Sequence, residues 1–164
     1  MCDMEFSTYF DSPLGTMLLN GTESALTGAW FVGQRYAGRA GERKDGLPLF
    51  SQAKAWLNRY FAGERPGDPP LLAPAGSPFR LAVWELLREI PYGETVTYGA
   101  LAAELARRQG KERMSAQAAG GAVGHNPISI FIPCHRVVGA DGSLTGYAGG
   151  VERKQFLLTL ESKK

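Results

Sequence analysis

Five of the ten prolines in this chain of 164 residues fall within one short stretch, residues 65–78, with the sequence RPGDPPLLAPAGSP. Proline lacks a backbone N–H and fixes φ, so this stretch can form neither a continuous helix nor a central strand. We interpret it as a linker, which predicts two folding units, residues 1–64 and residues 79–164. The chain is long enough for one sizeable hydrophobic core or for two small ones packed together.

Before the linker, the sequence predicts a small α+β unit. Three β-prone runs, EFSTYF, TMLLNG and ALTGAWF, alternate with turn-forming residues. Apolar residues then recur at helical spacing from Phe50 to Phe61, and Gly63 ends the pattern. This first unit offers no evident catalytic pattern.

After the linker, we expect a mostly helical domain, which makes the whole protein α+β. Ser77 and Pro78 form a favourable helix start, with a capping side chain followed by proline at the first helical position. The apolar run ISIFIP predicts a strand that leads into Cys134. A last helix is expected around Phe156, Leu157 and Leu160.

Two neighbouring helices are predicted in the middle of this domain. Thr97 can cap a helix over residues 98–108, and Ser115 can cap one over residues 116–124. This arrangement indicates a helix-turn-helix, although the turn, residues 109–115, is longer than in the usual motif.

The second of these helices consists almost entirely of small residues, including the adjacent pair Gly120 and Gly121. Each glycine costs a helix roughly 1 kcal/mol relative to alanine, so the pair indicates that something approaches this backbone closely. A neighbouring helix and a nucleic-acid groove are both compatible with the pattern.

Charge separates the two halves weakly. Residues 1–78 carry 7 Lys and Arg against 8 Asp and Glu, whereas residues 79–164 carry 11 against 8. The excess in the second half is compatible with a polyanionic partner and equally with an ordinary solvated surface. No apolar stretch approaches the roughly 20 residues of a membrane span. The N-terminus has no secretory pattern and there are two cysteines, so we expect a cytoplasmic protein.

Cys134 and His135 are adjacent in the run IPCHRV. A cysteine reacts as the thiolate, and a histidine oriented by a carboxylate can serve as its base. On an extended chain neighbouring side chains point to opposite faces, so a water relay is plausible; Glu161 and Asp141 are candidate carboxylates. A small buried hydrophobic cysteine remains the simpler interpretation of these two residues alone. The spacing of cysteines and histidines matches no zinc pattern, so no metal is expected.

Three sequence motifs together resemble those of a known protein family. The run NPISIFIPCHRVVGADGSLTGYAGG (residues 126–150), with GETVTY (93–98) and SAQAAGGAVGHNP (115–127) in the same order and spacing, closely resembles the O6-alkylguanine-DNA alkyltransferase family. The resemblance covers nearly all of residues 79–164 and is looser before them.

The resemblance implies a DNA-repair protein that moves an alkyl group from O6 of guanine, with O4-alkylthymine as a further candidate substrate, onto its own Cys134. It implies that His135 deprotonates Cys134 through water and that Glu161 orients His135. Asn126 would tie the recognition helix to the active-site strand, and Tyr98 would donate a hydrogen bond to the extruded base. The protein would act once per molecule, as a monomer, without a cofactor.

The resemblance also implies the binding residues. Val137, Tyr147, Ala148 and Ser129 would line the base pocket. The minor groove of double-stranded DNA would be contacted by Ser115, Ala116, Gln117, Ala118, Gly120, Gly121 and Arg136. Relatives often carry arginine at position 117, serine at 148 and proline at 129, and some bind zinc through N-terminal ligands that this chain lacks.

Two other functions are compatible with parts of the pattern. A module that binds alkylated DNA without repairing it commonly has tryptophan in place of the acceptor cysteine, whereas this chain has Cys134. A cysteine hydrolase using Cys134 and His135 would turn over repeatedly and would not need the helix-turn-helix.

Overall fold

The computed structural model describes residues 4–144 and 147–162. The chain divides into two compact units, of mixed α and β structure as predicted. The first takes the chain up to Ala75 and also the segment Pro127–Phe131, and the second comprises Gly76–Asn126 and the chain from Ile132 onward. The division is therefore not the single break at the linker that the prolines suggested.

A four-stranded sheet forms the first unit. Its strands are β1 (Phe6–Ser12), β2 (Gly15–Gly21), β3 (Leu26–Phe31) and β4 (Glu42–Arg43), in the order β3-β2-β1-β4. The first three coincide with the predicted β-prone runs and pair antiparallel, while β4 pairs parallel to β1. The proline-rich linker is not free here, because Leu26 exchanges backbone hydrogen bonds with Leu71 and Ala73, both at 2.8 Å.

Helix α1 (Pro48–Phe61) completes the core of the first unit. Its buried residues follow the predicted helical spacing: Leu49, Phe50, Ala53, Trp56, Leu57 and Tyr60. Each fully buried large side chain contributes on the order of 1.5–3 kcal/mol to folding. Gly63, with a φ of 87°, adopts the left-handed conformation that follows the helix end.

The run ISIFIP is not the predicted strand. Within the first unit, Ala29 accepts a hydrogen bond from Ser129 N at 2.9 Å and donates one to Pro127 O at 2.8 Å. Ile130 then has a φ of 73°, which is rare for a β-branched residue and ends any regular strand. Phe131 stacks on Trp56, with ring centroids 4.5 Å apart.

The second unit is mostly helical, as predicted. Its elements are α2 (Pro78–Leu87), β5 (Val96–Thr97), α3 (Tyr98–Arg108), α4 (Ala116–Gly124), β6 (Val137–Val138) and α5 (Val151–Ser162). The predicted caps are confirmed: the hydroxyl oxygens of Ser77, Thr97 and Ser115 each accept a hydrogen bond from a backbone N–H of the first turn. Strands β5 and β6 pair parallel.

Helix α4 packs closely against its neighbours. The Trp84 indole on α2 donates to Ala122 O at 2.8 Å. A Cβ atom on Gly120 would lie 3.5 Å from the Tyr98 ring, whereas one on Gly121 would meet nothing within 4 Å. Both positions leave room for a methyl group, so helix packing requires glycine at neither of them. Among the described residues, every helix is too short or too polar to cross a bilayer.

Candidate active site

Cys134 lies in a tight turn and not on the predicted strand. Pro133 has φ −81° and ψ 64°, and Cys134 N donates to Ile132 O at 2.8 Å, as in an inverse γ-turn. A short 3-10 helix, Cys134–Arg136, follows. The expectation that Cys134 and His135 lie on an extended chain, with side chains on opposite faces, is therefore wrong, because the backbone is helical here.

The Cys134 side chain is buried, at 5% exposed. Burial raises the pKa of its thiol to about 11, although a hydrogen bond from the Asn126 side chain and the charge of Lys154 act in the opposite direction. Asn126 also donates from Nδ2 to Ile132 O at 2.7 Å, which fixes the amide beside the turn. The resting sulfur is therefore protonated, and its chemistry requires a base.

His135 and Glu161 form a fully buried pair. His135 Nε2 lies 2.5 Å from Glu161 Oε2, and the two residues are 0% and 1% exposed. Burial lowers the pKa of His135, so its ring is neutral at neutral pH. With Nε2 donating to the carboxylate, Nδ1 of the neutral ring carries no proton and can act as a base. Asp141, the other candidate carboxylate, is exposed and accepts from Ser143 N.

Arg136 is placed differently from the prediction that it contacts DNA. Its guanidinium is buried, with Nε 2.7 Å from Glu161 Oε1 and Nη1 2.7 Å from Ile90 O. These partners direct it into the protein interior, which corrects the predicted role. Burial works to raise the pKa of Glu161, but hydrogen bonds with His135 and Arg136 outweigh it and hold that pKa at about 2.

Lys154 is a site residue that sequence reasoning missed. It is fully buried on α5, and Nζ donates to Val137 O at 2.5 Å. Its ammonium also lies 5.6 Å from the centroid of the Tyr98 ring. Burial lowers the pKa of Lys154 to about 8, although the nearby Cys134 acts to raise it. We call Cys134, His135, Arg136, Lys154 and Glu161 the buried cluster.

The predicted last helix is confirmed as α5, but its apolar residues do not define its buried face. Of the three apolar residues that identified α5, Leu157 is buried but Phe156 is 37% exposed. The buried face carries Lys154 and Glu161 on either side of Leu157. The sequence did contain a sign of this buried face, because two opposite charges lie seven residues apart on one side of the helix with an apolar residue between them.

The predicted pocket residues belong to several segments of the chain. Tyr98 begins α3 half-buried, and burial, followed by the nearby Cys134, raises its pKa. Tyr147 is buried, and a Cβ atom on Gly149 would lie 2.5 Å from its ring. Ala148 is partly exposed. Ser129 belongs to the first unit and is buried, and its backbone N–H bond to Ala29 could not form with proline there.

Helix α4 presents a contrasting surface. Ala116, Gln117, Ala118 and Gly121 are exposed, and we call them the exposed face of α4. Its inner face is formed by Ala119, Ala122 and Val123, which are buried. Ser115 caps the helix and is itself exposed. A surface of small, uncharged residues allows another molecule to approach the helix backbone closely.

The described residues contain no group of three or more His, Cys, Asp or Glu side chains that could hold a metal ion. The buried cluster itself places an imidazole, a carboxylate and two cations at or next to Cys134.

Comparison with known proteins gives consistent results. The "6-O-methylguanine DNA methyltransferase, DNA binding domain" matches residues 78–163, and the "6-O-methylguanine DNA methyltransferase, ribonuclease-like domain" matches residues 6–66. The methylated-DNA–protein-cysteine methyltransferase of Haemophilus influenzae is 42% identical over 158 residues, covering 95% of this chain and 86% of the relative. That of Methanosarcina acetivorans is 44% identical over 160 residues, covering 93% and 95%.

A solved structure agrees with these relatives. The crystal structure of Mycobacterium tuberculosis OGT in complex with DNA superimposes with a TM-score of 0.84 at 42% identity, covering 97% of this chain and 92% of that one. Both sequence and fold thus match over nearly the full length, and the chain belongs to the 6-O-methylguanine DNA methyltransferase family.

Proposed function

We propose that this protein repairs DNA by transferring an alkyl group from O6 of guanine in a duplex to the sulfur of Cys134. The observation that carries the proposal is the buried His135–Glu161 pair, 2.5 Å apart, next in the chain to a buried thiol. Relatives of this family act on methylated DNA according to their names, and one solved neighbour is bound to DNA.

Each residue of the buried cluster has its own role in the transfer. A neutral His135 takes the Cys134 proton through a water molecule, and Glu161 stabilises the imidazolium that forms. The ammonium of Lys154 favours the thiolate that remains. The sulfur–carbon bond forms as the carbon–O6 bond breaks, and guanine recovers the proton that Cys134 lost. Since atoms and charges balance within the protein and the base, the step requires no cofactor.

The reacting carbon cannot be reached inside a stacked duplex, so the base is extruded into the protein. Tyr98 donates a hydrogen bond to the extruded base, and Tyr147 and Ala148 line its pocket. The carbonyl of Val137 already accepts from Lys154, but a carbonyl oxygen has a second lone pair with which to accept from the base's exocyclic amine. Asn126 fixes the turn against the end of α4.

The exposed face of α4 supports minor-groove binding. This face lacks charged or bulky side chains, so the helix can lie close to a narrow groove. A side chain at position 121 would meet nothing within 4 Å, so packing within the protein does not require glycine there. The absence of a side chain at Gly121 therefore fits a role in which the groove approaches the helix backbone. Gln117 occupies the position at which an inserted side chain replaces the extruded base.

Reaction at Cys134 leaves a thioether, which water does not cleave, so each molecule reacts once. We infer that the protein acts as a monomer in the cytoplasm. The chemistry favours a reducing compartment, because an oxidised Cys134 could not accept an alkyl group.

The test is incubation with a duplex containing one O6-methylguanine, followed by intact mass measurement and peptide mapping. We expect one methyl group per protein, located on Cys134 and not on Cys2. Cys2→Ala is the matched control and should react like the wild type. Sustained turnover in excess substrate, or methylation elsewhere, would exclude the proposal.

A further inference from the structure

Arg136 is held more firmly than a residue of the protein surface. Its Nε donates to Glu161 Oε1 at 2.7 Å, its Nη1 donates to Ile90 O at 2.7 Å, and its guanidinium carbon lies 5.6 Å from the centroid of the Tyr92 ring. Two hydrogen bonds from one planar group fix both its position and its orientation.

The Glu161 carboxylate is shared among three partners, two side chains and one backbone N–H. Oε1 accepts from Arg136 and, at 3.3 Å, from Gly93 N, while Oε2 is 2.5 Å from His135 Nε2. His135 therefore faces a carboxylate whose negative charge is largely neutralised on its other side by a buried guanidinium.

This sharing matters for the protonation of His135. A carboxylate that faced the imidazole alone would favour the imidazolium, which has no lone pair to accept a proton. Among the described residues, the ionisable groups that act on the ring include Glu161, which raises the pKa of His135, and Arg136 and Lys154, which lower it. Arg136 is the cation bonded directly to that same carboxylate.

We propose that Arg136 is a positioning residue that keeps His135 in its neutral, proton-accepting form by sharing the charge of Glu161. It orients the carboxylate for His135 and limits how strongly that carboxylate attracts a proton to the ring. The inference rests on the proposed function only in naming Cys134 as the group that His135 deprotonates.

The first measurement follows the ring itself, by nitrogen NMR of the ¹⁵N-histidine-labelled protein across pH. In the wild type, we expect His135 at neutral pH to have a protonated Nε2 and an unprotonated Nδ1. In Arg136→Gln, imidazolium should persist to a pH higher by about 1, the scale of a lost neighbouring charge. An imidazolium in the wild type at neutral pH would overturn the proposal.

The second measurement is the rate of methyl transfer against pH. In Arg136→Gln, the acidic limb of the pH–rate profile should shift to higher pH by the same amount as the NMR titration. The double variant Arg136→Gln/Glu161→Gln removes both charges, so the titration of its ring should return to lower pH. Arg88→Gln removes an exposed arginine of the same unit and should change neither measurement.

A purely structural Arg136 would give a different result: Arg136→Gln would lower the melting temperature but leave the ring titration and the acidic limb where they are in the wild type. If Arg136→Gln does not fold, the comparison is made with Arg136→Lys, which keeps the charge but not the planar fork. In Arg136→Lys, the acidic limb of the pH–rate profile should stay close to its wild-type pH. A shift as large as the one expected for Arg136→Gln would refute the proposal. Because the NMR titration needs no substrate, a protein that transfers no methyl group would overturn the proposed function and leave this inference testable.

Discussion

The buried cluster and the exposed face of α4 lie in the same unit of the protein but are built in opposite ways. The buried cluster places His135, Lys154 and Glu161 in the interior with almost no exposure. The exposed face of α4 has no formal charge, and apart from Gln117 its side chains are small. Burying ionisable groups is costly unless each is paired, so such clusters tend to mark chemical function. Under the proposed function, the comparison separates residues that perform chemistry from residues that permit recognition.

The largest expected effect comes from the acceptor itself. Cys134→Ala should abolish methyl transfer, because the described residues of the buried cluster include no second thiol. Its affinity for duplex DNA should equal that of the wild type, since the exposed face of α4 is unchanged. Transfer is measured by intact mass and affinity by fluorescence anisotropy. A large loss of affinity would show that the two regions are not separable in this way.

His135→Ala should have the next largest effect, slowing transfer about 10²-fold, as expected for loss of a general base. DNA affinity should again be unchanged. Single-turnover kinetics on a methylated duplex measure the rate, with His125→Ala as the matched histidine variant outside the buried cluster. Equal rates in wild type and His135→Ala would mean that the thiolate forms without this base.

Lys154→Met should slow transfer by about tenfold. The ammonium acts to lower the pKa of Cys134, and its loss should raise that pKa by about 1, with a tenfold fall in thiolate. Methionine keeps most of the buried volume, so the melting temperature should not fall. Lys54→Met, on α1, is the control and should react normally. An unchanged rate combined with lost stability would show that Lys154 acts only through packing.

The smallest expected effect lies on the exposed face of α4. Gln117→Arg adds a side chain that can stack on bases and contact phosphate, so it should tighten duplex binding and steepen its salt dependence by about one phosphate contact. Repair of duplex should quicken, while reaction with free O6-methylguanine should not. Gln52→Arg, on α1, controls for added charge. Equal acceleration with duplex and free base would show that residue 117 acts on the base pocket and not on base extrusion.

The sequence predicts those features that depend on neighbouring residues. Ser77, Thr97 and Ser115 identified their helix starts because capping involves only the next few residues. The β-prone runs located β1 to β3 for a similar reason. Strand β4 was missed, since its two exposed residues form a strand only through pairing with β1.

Features set by tertiary contacts could not be predicted in this way. The turn at Cys134 departs from its β-prone sequence because Pro133 and the left-handed Ile130 redirect the chain. Lys154 and Arg136 look like surface residues, and only the fold reveals partners in Val137, Ile90 and Glu161. Family resemblance identified Glu161, but it assigned Arg136 to DNA.

The path of the chain through Pro127–Phe131 limits how the protein can be shortened. Those residues belong to the first unit, yet the chain enters and leaves them from the second. A fragment that starts at residue 79 would carry Ile128 and Phe131 without the backbone and indole partners provided by Ala29 and Trp56. Exposed apolar side chains of this kind promote aggregation. We therefore expect a fragment that begins at residue 79 to aggregate unless polar residues replace Ile128 and Phe131.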